Sequence, residues 1–124
     1  PREKRLVQAI KRMGAYVKLH ICGNITHLLP GIADLGVTII DVDHMVDMKA
    51  VRTQLTSDVV ITGNINPVEE VYRGAPAPIR EKIRRCYQEV GNPYMVNAGC
   101  EIPSGTPNEN LRALCEPVPF QSDI

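Results

Sequence analysis

Tryptophan is absent from the 124-residue chain, and phenylalanine occurs once, at Phe120. The core must therefore be aliphatic, built from Val, Ile, Leu and Met. There is no excess of charge of either sign: Lys+Arg and Asp+Glu both number 14, for a formal net charge of zero. A nucleic-acid binder would normally carry a basic surplus, so that class is disfavoured. No apolar run approaches the roughly 20 residues of a membrane span. Pro1-Arg2-Glu3-Lys4-Arg5 is followed by no apolar signal core, so this segment is not read as a secretory signal. It also lacks an initiator Met, which points to a processed or cut start. The four cysteines, Cys22, Cys86, Cys100 and Cys115, form no regular framework. Reduced thiols in a cytoplasmic protein are the better expectation, where cysteine serves metal binding or catalysis more often than cross-linking.

What is present is a regular alternation. Leu6, Val7, Ile10 and Met13 have helical spacing over residues 2–13, closed by Gly14. Residues 16–21 read as a strand and Gly23-Asn24 as a turn. Ile25, Leu28, Leu29 and Ile32 return to helical spacing, with a break near Pro30-Gly31. Strands are expected at 37–41 and 58–62, separated by a short helix over 47–55. A helix opened by Pro67 runs to about Tyr72. A second places Ile79, Ile83, Cys86, Tyr87 and Val90 on one face and ends at Gly91-Asn92. Residues 94–97 form the fourth expected strand. Thr106-Pro107-Asn108-Glu109 has the residues of a capping box with Pro at the first helical position, and the last helix runs to about Leu114. Residues 116–124, with Pro117 and Pro119, are expected to form a tail.

The order is thus a helix followed by four βα units. Such alternation implies an α/β fold with a parallel sheet and right-handed crossovers. Four strands suit a small open sheet, or half of an eight-stranded barrel, whose usual length is about 250 residues.

His20 and Cys22 lie two residues apart at the end of the first strand. If extended backbone persists to Cys22, both side chains point to one face, and Gly23 lets the chain turn away. Cys100 follows the fourth strand after Gly99 in the same manner. These are the carboxyl ends of parallel strands, where α/β folds place their active sites. Two thiolates and an imidazole suit zinc, and three protein ligands with a fourth position open is the catalytic pattern. From residue types alone the alternative stands equally: buried small cysteines and a satisfied core histidine.

The segments Lys18-Leu19-His20-Ile21-Cys22-Gly23-Asn24, Asp41-Val42-Asp43, Thr62-Gly63-Asn64-Ile65-Asn66-Pro67 and Val96-Asn97-Ala98-Gly99-Cys100-Glu101-Ile102-Pro103 occur in this order. Thr106-Pro107 and Glu109-Asn110-Leu111 follow them. Together they resemble the uroporphyrinogen decarboxylase superfamily, and within it the corrinoid-dependent branch of methylcobamide:coenzyme M methyltransferases. The resemblance implies that residues 1–124 form a single domain, four βα units like the C-terminal half of a (β/α)8 TIM barrel. It implies that His20, Cys22 and Cys100 match the family zinc motif. It implies a small thiol acceptor activated on zinc, and a methylated corrinoid on a partner protein as methyl donor. Decarboxylases of the superfamily need no metal; a tetrapyrrole decarboxylase and a non-catalytic half barrel that binds metal or a partner are the competing expectations. A half barrel leaves two sheet edges and one apolar face open. Self-association, a partner chain supplying an N-terminal half, or origin as a fragment of a longer protein is therefore expected.

Asp41 and Asp43, at the end of the second strand, can bind substrate, supply a fourth ligand or accept a proton; turn chemistry and helix capping are the other reading. Asn64 after Gly63 reads as a substrate contact or a plain βα turn, and Asn24 as a ligand contact or a helix N-cap. Glu101, adjacent to Cys100, suits an outer position around the metal. His27 and His44 read as ordinary polar positions, with His44 nearer the pocket. Cys86 reads as core and Cys115 as incidental packing. Lys11, Arg12 and the charges over 80–85 read as solvated helix faces.

Overall fold

A computed structural model describes residues 2–116. Its elements are α1 (Arg2–Arg12), β1 (Lys18–Ile21), α2 (Leu29–Ala33), β2 (Ile39–Val42), α3 (Met48–Gln54), β3 (Val60–Gly63), α4 (Pro76–Val90), β4 (Tyr94–Met95) and α5 (Asn108–Leu114). A 3₁₀ turn at Thr26–Leu28 precedes α2, and a π-helical turn occupies Pro67–Tyr72. From 117 on, the expected tail lies outside the described residues.

The four strands form one parallel sheet in the order β1-β2-β3-β4. Every crossover moves one place in the same direction. Right-handed crossovers of that kind put all connecting helices on one side, as in a barrel wall rather than a doubly wound sheet. The packing agrees: Ile40, Val42 and Ile61 share a core with Leu29 and Ile32 of α2, Met48 and Val51 of α3, and Cys86 and Val90 of α4. Burying each such aliphatic side chain contributes about 1.5–3 kcal/mol. A second cluster joins Ile65, Val71, Ile79, Ile83, Ala98, Ala113 and Leu114. Strand alternation sends Lys18, His20, Ile39, Asp41, Val60, Thr62 and Met95 to the opposite face. This is a partial TIM-barrel-like α/β fold, and that opposite face corresponds to the barrel interior.

The two ends of the sheet are held differently. At the amino ends of β3 and β4, the Arg52 guanidinium donates to the carbonyls of Val90 (3.0 Å), Thr56 (3.3 Å), Val59 (3.2 Å) and Pro93 (3.2 Å). One side chain thereby satisfies the carbonyls of two connecting loops. Burial lowers the Arg52 pKa from its ordinary value. At the carboxyl ends, Asp47 caps α3 by accepting from the backbone N–H groups of Lys49 (2.8 Å) and Ala50 (3.1 Å).

Several expectations require correction. The fourth strand pairs only over Tyr94–Met95, against Ile61 and Thr62. Its partner β3 turns away through positive φ at Gly63 (97°) and Asn64 (68°), and pairing resumes only at an Ile65–Ala98 bridge. The capping box at 106–109 does not form: the Thr106 hydroxyl donates to the Pro103 carbonyl at 2.8 Å, and α5 has no side-chain cap. The Pro67–Tyr72 segment widens to a π turn. Asn66 Oδ1 accepts from the Val68 and Glu69 N–H groups, and Glu70 reaches back to accept from the Asn66 N–H at 2.6 Å. On α1 only Val7 is buried, while Leu6 is 63% exposed and Met13, just past the helix end, is 84% exposed. Among the described residues no element covers that side of α1.

Candidate metal centre

β1 presents Lys18 and His20 on the open face, and Cys22 follows the strand by one residue. His20 Nε2 lies 3.3 Å from Cys22 Sγ, and Cys22 Sγ lies 3.3 Å from Cys100 Sγ. The three donor atoms all fall within 4.8 Å of one another. The sulfur separation far exceeds a disulfide's ~2.05 Å, and both thiols are free. Tetrahedral zinc with Zn–S near 2.3 Å needs sulfurs about 3.8 Å apart, so the pair would open by roughly half an ångström to take an ion. Two thiols and one imidazole nitrogen, gathered within 4.8 Å of one another, are a donor set that fits zinc.

The ring of His20 is oriented by its other nitrogen. Nδ1 lies 3.1 Å from the Asp41 main-chain carbonyl, which can only accept. The N–H is thereby assigned to Nδ1 and the lone pair to Nε2, on the side of the thiols. Metal-ligating histidines are held in this way by a backbone carbonyl or carboxylate. Without metal, the cluster shares protons. Burial opposes charging of His20, but the hydrogen bond with Cys100, the bond to Asp41 and the charges of both outweigh it, and the pKa is raised. The hydrogen bond from Cys22, then that from His20, lowers the Cys100 pKa, and the same Cys100 bond raises that of Cys22.

The loops that bring the ligands together depend on close backbone approach. A Cβ on Gly99 would lie 2.8 Å from the His44 nitrogen, 3.1 Å from the Val42 oxygen and 3.2 Å from the Asn64 nitrogen. One on Gly63 would strike the Val42 oxygen and come within 2.6 Å of Asp41 Oδ1. Gly99 N–H donates to the Ile65 carbonyl at 2.7 Å, which fixes the segment entering Cys100.

Asp41 and Asp43 are both buried, and neither caps a helix, that task falling to Asp47. Asp41 Oδ2 meets Lys18 Nζ at 2.6 Å and accepts from Asn97 Nδ2 at 2.9 Å. Among the described residues Asp41 Oδ1 has no hydrogen-bond partner. Asp43 Oδ2 accepts from the Gly23 N–H at 2.7 Å. His44 Nδ1 lies 2.5 Å from Asp43 Oδ1, off the line that a hydrogen bond requires. Burial pushes the Asp43 carboxyl up, but the Gly23 and His44 interactions outweigh it and the pKa is lowered. Asn64 is buried with its amide turned inward, donating to the Asp43 carbonyl (3.1 Å) and the Val46 carbonyl (2.6 Å). Its Oδ1 accepts from Lys82 Nζ at 3.3 Å. Asn24 Oδ1 accepts from Thr26 N–H (3.1 Å) and Oγ1 (2.7 Å), organising the 3₁₀ turn. Glu101 and His27 are exposed, Cys86 is core, and Cys115 is exposed.

Lys18 and Asn97 were assigned no role from the sequence, yet they form a polar cluster with Asp41 beside His20. Strand periodicity carried a signal for Lys18, two residues before His20 on the same face. Asn97 lies beyond β4, where periodicity no longer predicts direction.

A family model described as Uroporphyrinogen decarboxylase (URO-D) matches residues 1–119. The chain is 35% identical over 116 residues to the methylcobamide:CoM methyltransferase MtbA of Methanosarcina acetivorans, covering 94% of this chain and 33% of that protein. It is 29% identical over 124 residues to the uroporphyrinogen decarboxylase of Gloeobacter violaceus, covering 95% and 34%. A solved methyltransferase from Methanosarcina mazei shares the fold with a TM-score of 0.77 at 24% identity, covering 90% of this chain and 33% of that one. The chain therefore spans about a third of the length of these relatives. Among the described residues no helix is long and apolar enough to cross a membrane. With a match over nearly its whole length, the chain belongs to the uroporphyrinogen decarboxylase (URO-D) family.

Proposed function

We propose that this chain is the metal-bearing part of a zinc-dependent methyltransferase. His20, Cys22 and Cys100 hold the zinc, a thiol such as coenzyme M takes the open position, and the methyl donor is a methylated corrinoid carried by a partner protein. The observation that supports this most is the convergence of one imidazole nitrogen and two thiol sulfurs within 4.8 Å. The methylcobamide:CoM and methylated-thiol–coenzyme M methyltransferases among the relatives support the choice of donor and acceptor.

Zinc at these ligands would supply the positive charge that keeps an acceptor thiol deprotonated near neutral pH. The chain's own residues do the remaining work. The Asp41 carbonyl holds the His20 ring with Nε2 presented to the site. The Cys22 and Cys100 thiolates together balance a divalent charge, which leaves a bound acceptor sulfur electron-rich. Lys18, Asp41 and Asn97 form a polar floor beside the ligands, and of the pair 41 and 43 Asp41 is the carboxylate that ties Lys18 and Asn97 together. A methylated corrinoid on the partner would supply the methyl group, and the task of this chain's residues would be to hold and orient the acceptor sulfur that receives it.

Among the described residues the sheet face opposite the helices is uncovered and the edges of β1 and β4 are free, which supports a half-barrel domain completed by self-association, by a partner chain or by further residues of a longer chain. Free thiols at the site fit a cytoplasmic, reducing location.

The test is metal analysis of the purified chain together with a methylcobalamin-to-coenzyme M assay. The expected result is one zinc per chain, removed by chelation together with methyl transfer. His20→Ala and Cys100→Ser lower the zinc stoichiometry, while Cys86→Ser and Cys115→Ser leave it unchanged. Equal zinc content in all four variants refutes the ligand assignment. Decarboxylases among the relatives at 29–31% identity favour a second reading, a tetrapyrrole decarboxylase; metal-free protein that decarboxylates uroporphyrinogen establishes that reading instead.

A further inference from the structure

Strand pairing between β1 and β2 ends at Ile21–Val42. One step beyond it, the buried Asp43 side chain continues the tie: Oδ2 accepts from the N–H of Gly23 at 2.7 Å. Gly23 immediately follows Cys22, so this bond holds the turn that carries an exposed metal ligand. Asp43 is held in turn from β3. Asn64, only 4% exposed, donates from Nδ2 to the Asp43 carbonyl at 3.1 Å and to the Val46 carbonyl at 2.6 Å. Its own N–H donates to the Val42 carbonyl at 2.7 Å. The fourth strand's exit abuts the same node, since a Cβ on Gly99 would sit 2.8 Å from the His44 nitrogen and 3.2 Å from the Asn64 nitrogen. Cys100 is the next residue.

From this geometry we infer that Asp43 is a positioning residue for the metal centre, fixing the Cys22 turn through Gly23, with Asn64 as the anchor that fixes Asp43. The inference rests on the metal-centre reading above and deepens it. It also gives Asp43 and Asn64 a task other than substrate contact. Asp43 Oδ2 and both Asn64 amide hydrogens are already engaged within the protein, and a substrate would have to displace those bonds. The arrangement makes chemical sense for a site whose ligands come from separate loops. Ligands held in place before the ion arrives lose less freedom on binding, and residues that orient ligands typically change metal affinity by about 10–100-fold when removed.

The test is titration of the whole metal-free chain with cobalt(II), read by the thiolate-to-cobalt charge-transfer band, with zinc competition for affinity. Asp43→Ala is expected to weaken cobalt binding by about 10–100-fold and to diminish the band. Asp43→Asn keeps an oxygen acceptor for the Gly23 N–H and is expected to stay within about threefold of wild type. Asp43→Glu keeps the charge but moves the carboxylate by one methylene; it shifts affinity in the same direction as the alanine variant and serves where that variant does not fold. Asp47→Ala, which removes the α3 cap from the same loop without touching the node, is expected to leave affinity unchanged. Wild-type cobalt uptake that is undiminished in Asp43→Ala and Asp43→Glu overturns the inference alone, as do equal losses in Asp43→Ala and Asp47→Ala. A loss in Asp43→Asn as large as in Asp43→Ala overturns the hydrogen-bond basis. A wild-type chain that takes up no cobalt overturns the metal-centre reading and this inference with it.

Discussion

Gly99→Ala probes how tightly the Cys100 loop is seated. The new methyl carbon would begin 2.8 Å from the His44 nitrogen, 3.1 Å from the Val42 oxygen and 3.2 Å from the Asn64 nitrogen. All three are backbone atoms at the ends of β2 and β3, where strand pairing leaves little room to yield. Ordinary contact needs about 3.4 Å, so the loop itself must lift by roughly 0.6 Å from the closest of them. Forcing one extra methyl into such a seat costs about 1–3 kcal/mol, or roughly 4–12 °C of melting temperature at about 4 °C per kcal/mol. Cys100 rides on the same backbone. A displacement near 0.6 Å is about three times the ±0.2 Å tolerance of a metal–ligand distance, so zinc affinity falls with stability. Thermal unfolding of the metal-free chain and zinc competition with a chromophoric chelator measure the two effects. Unchanged melting temperature and unchanged affinity would show that the loop is not held against these backbone atoms, and the reasoning would fail.

Other outcomes follow from the same geometry. Arg52→Met strips the donor from four carbonyls at the opposite end of the sheet; chemical denaturation should show a loss of about 2–3 kcal/mol with zinc stoichiometry unchanged. Cys86→Ser places a hydroxyl in the core of α4 and should cost about 1–3 kcal/mol, again without loss of metal. The Asp43 carboxyl is held below its ordinary range. Its contribution to stability is present above the unfolded value of about 3.9 and is lost as pH falls through the lower folded value. Denaturation of metal-free Asp43→Asn as a function of pH should therefore lack that part of the acid slope, whereas a slope equal to wild type's counts against the assignment.

Much of the architecture was legible because its signals are local. The β-branched runs around Ile39–Ile40 and Val59–Ile61, separated by helical spacing, specify strands and helices in alternation. His20 and Cys22 could be placed on one face from strand periodicity alone. The convergence of Cys100 could not be read from spacing, because it depends on β3 turning off at Gly63 and Asn64 and on Gly99 lying against His44. The roles of Asn64 and Asp43 were illegible for a related reason. An Asn after a glycine at a strand end reads alike whether its amide faces substrate or the carbonyls of the neighbouring loop. Thr106 shows the converse, since its sequence promised a cap while a nearby carbonyl, that of Pro103, competed for the hydroxyl. The exposed Leu6 and Met13 kept helical periodicity without burial, because periodicity reports the face a helix offers and says nothing of what covers it.

On the proposed function, His20, Cys22 and Cys100 form one zinc centre. X-ray absorption at the zinc edge of the zinc-loaded chain tests it most directly. Two sulfur neighbours at about 2.3 Å and an imidazole nitrogen at about 2.0–2.1 Å are expected, with one sulfur lost from the zinc that Cys100→Ser retains. A first shell of oxygen and nitrogen alone, or two sulfurs persisting in Cys100→Ser, would contradict it.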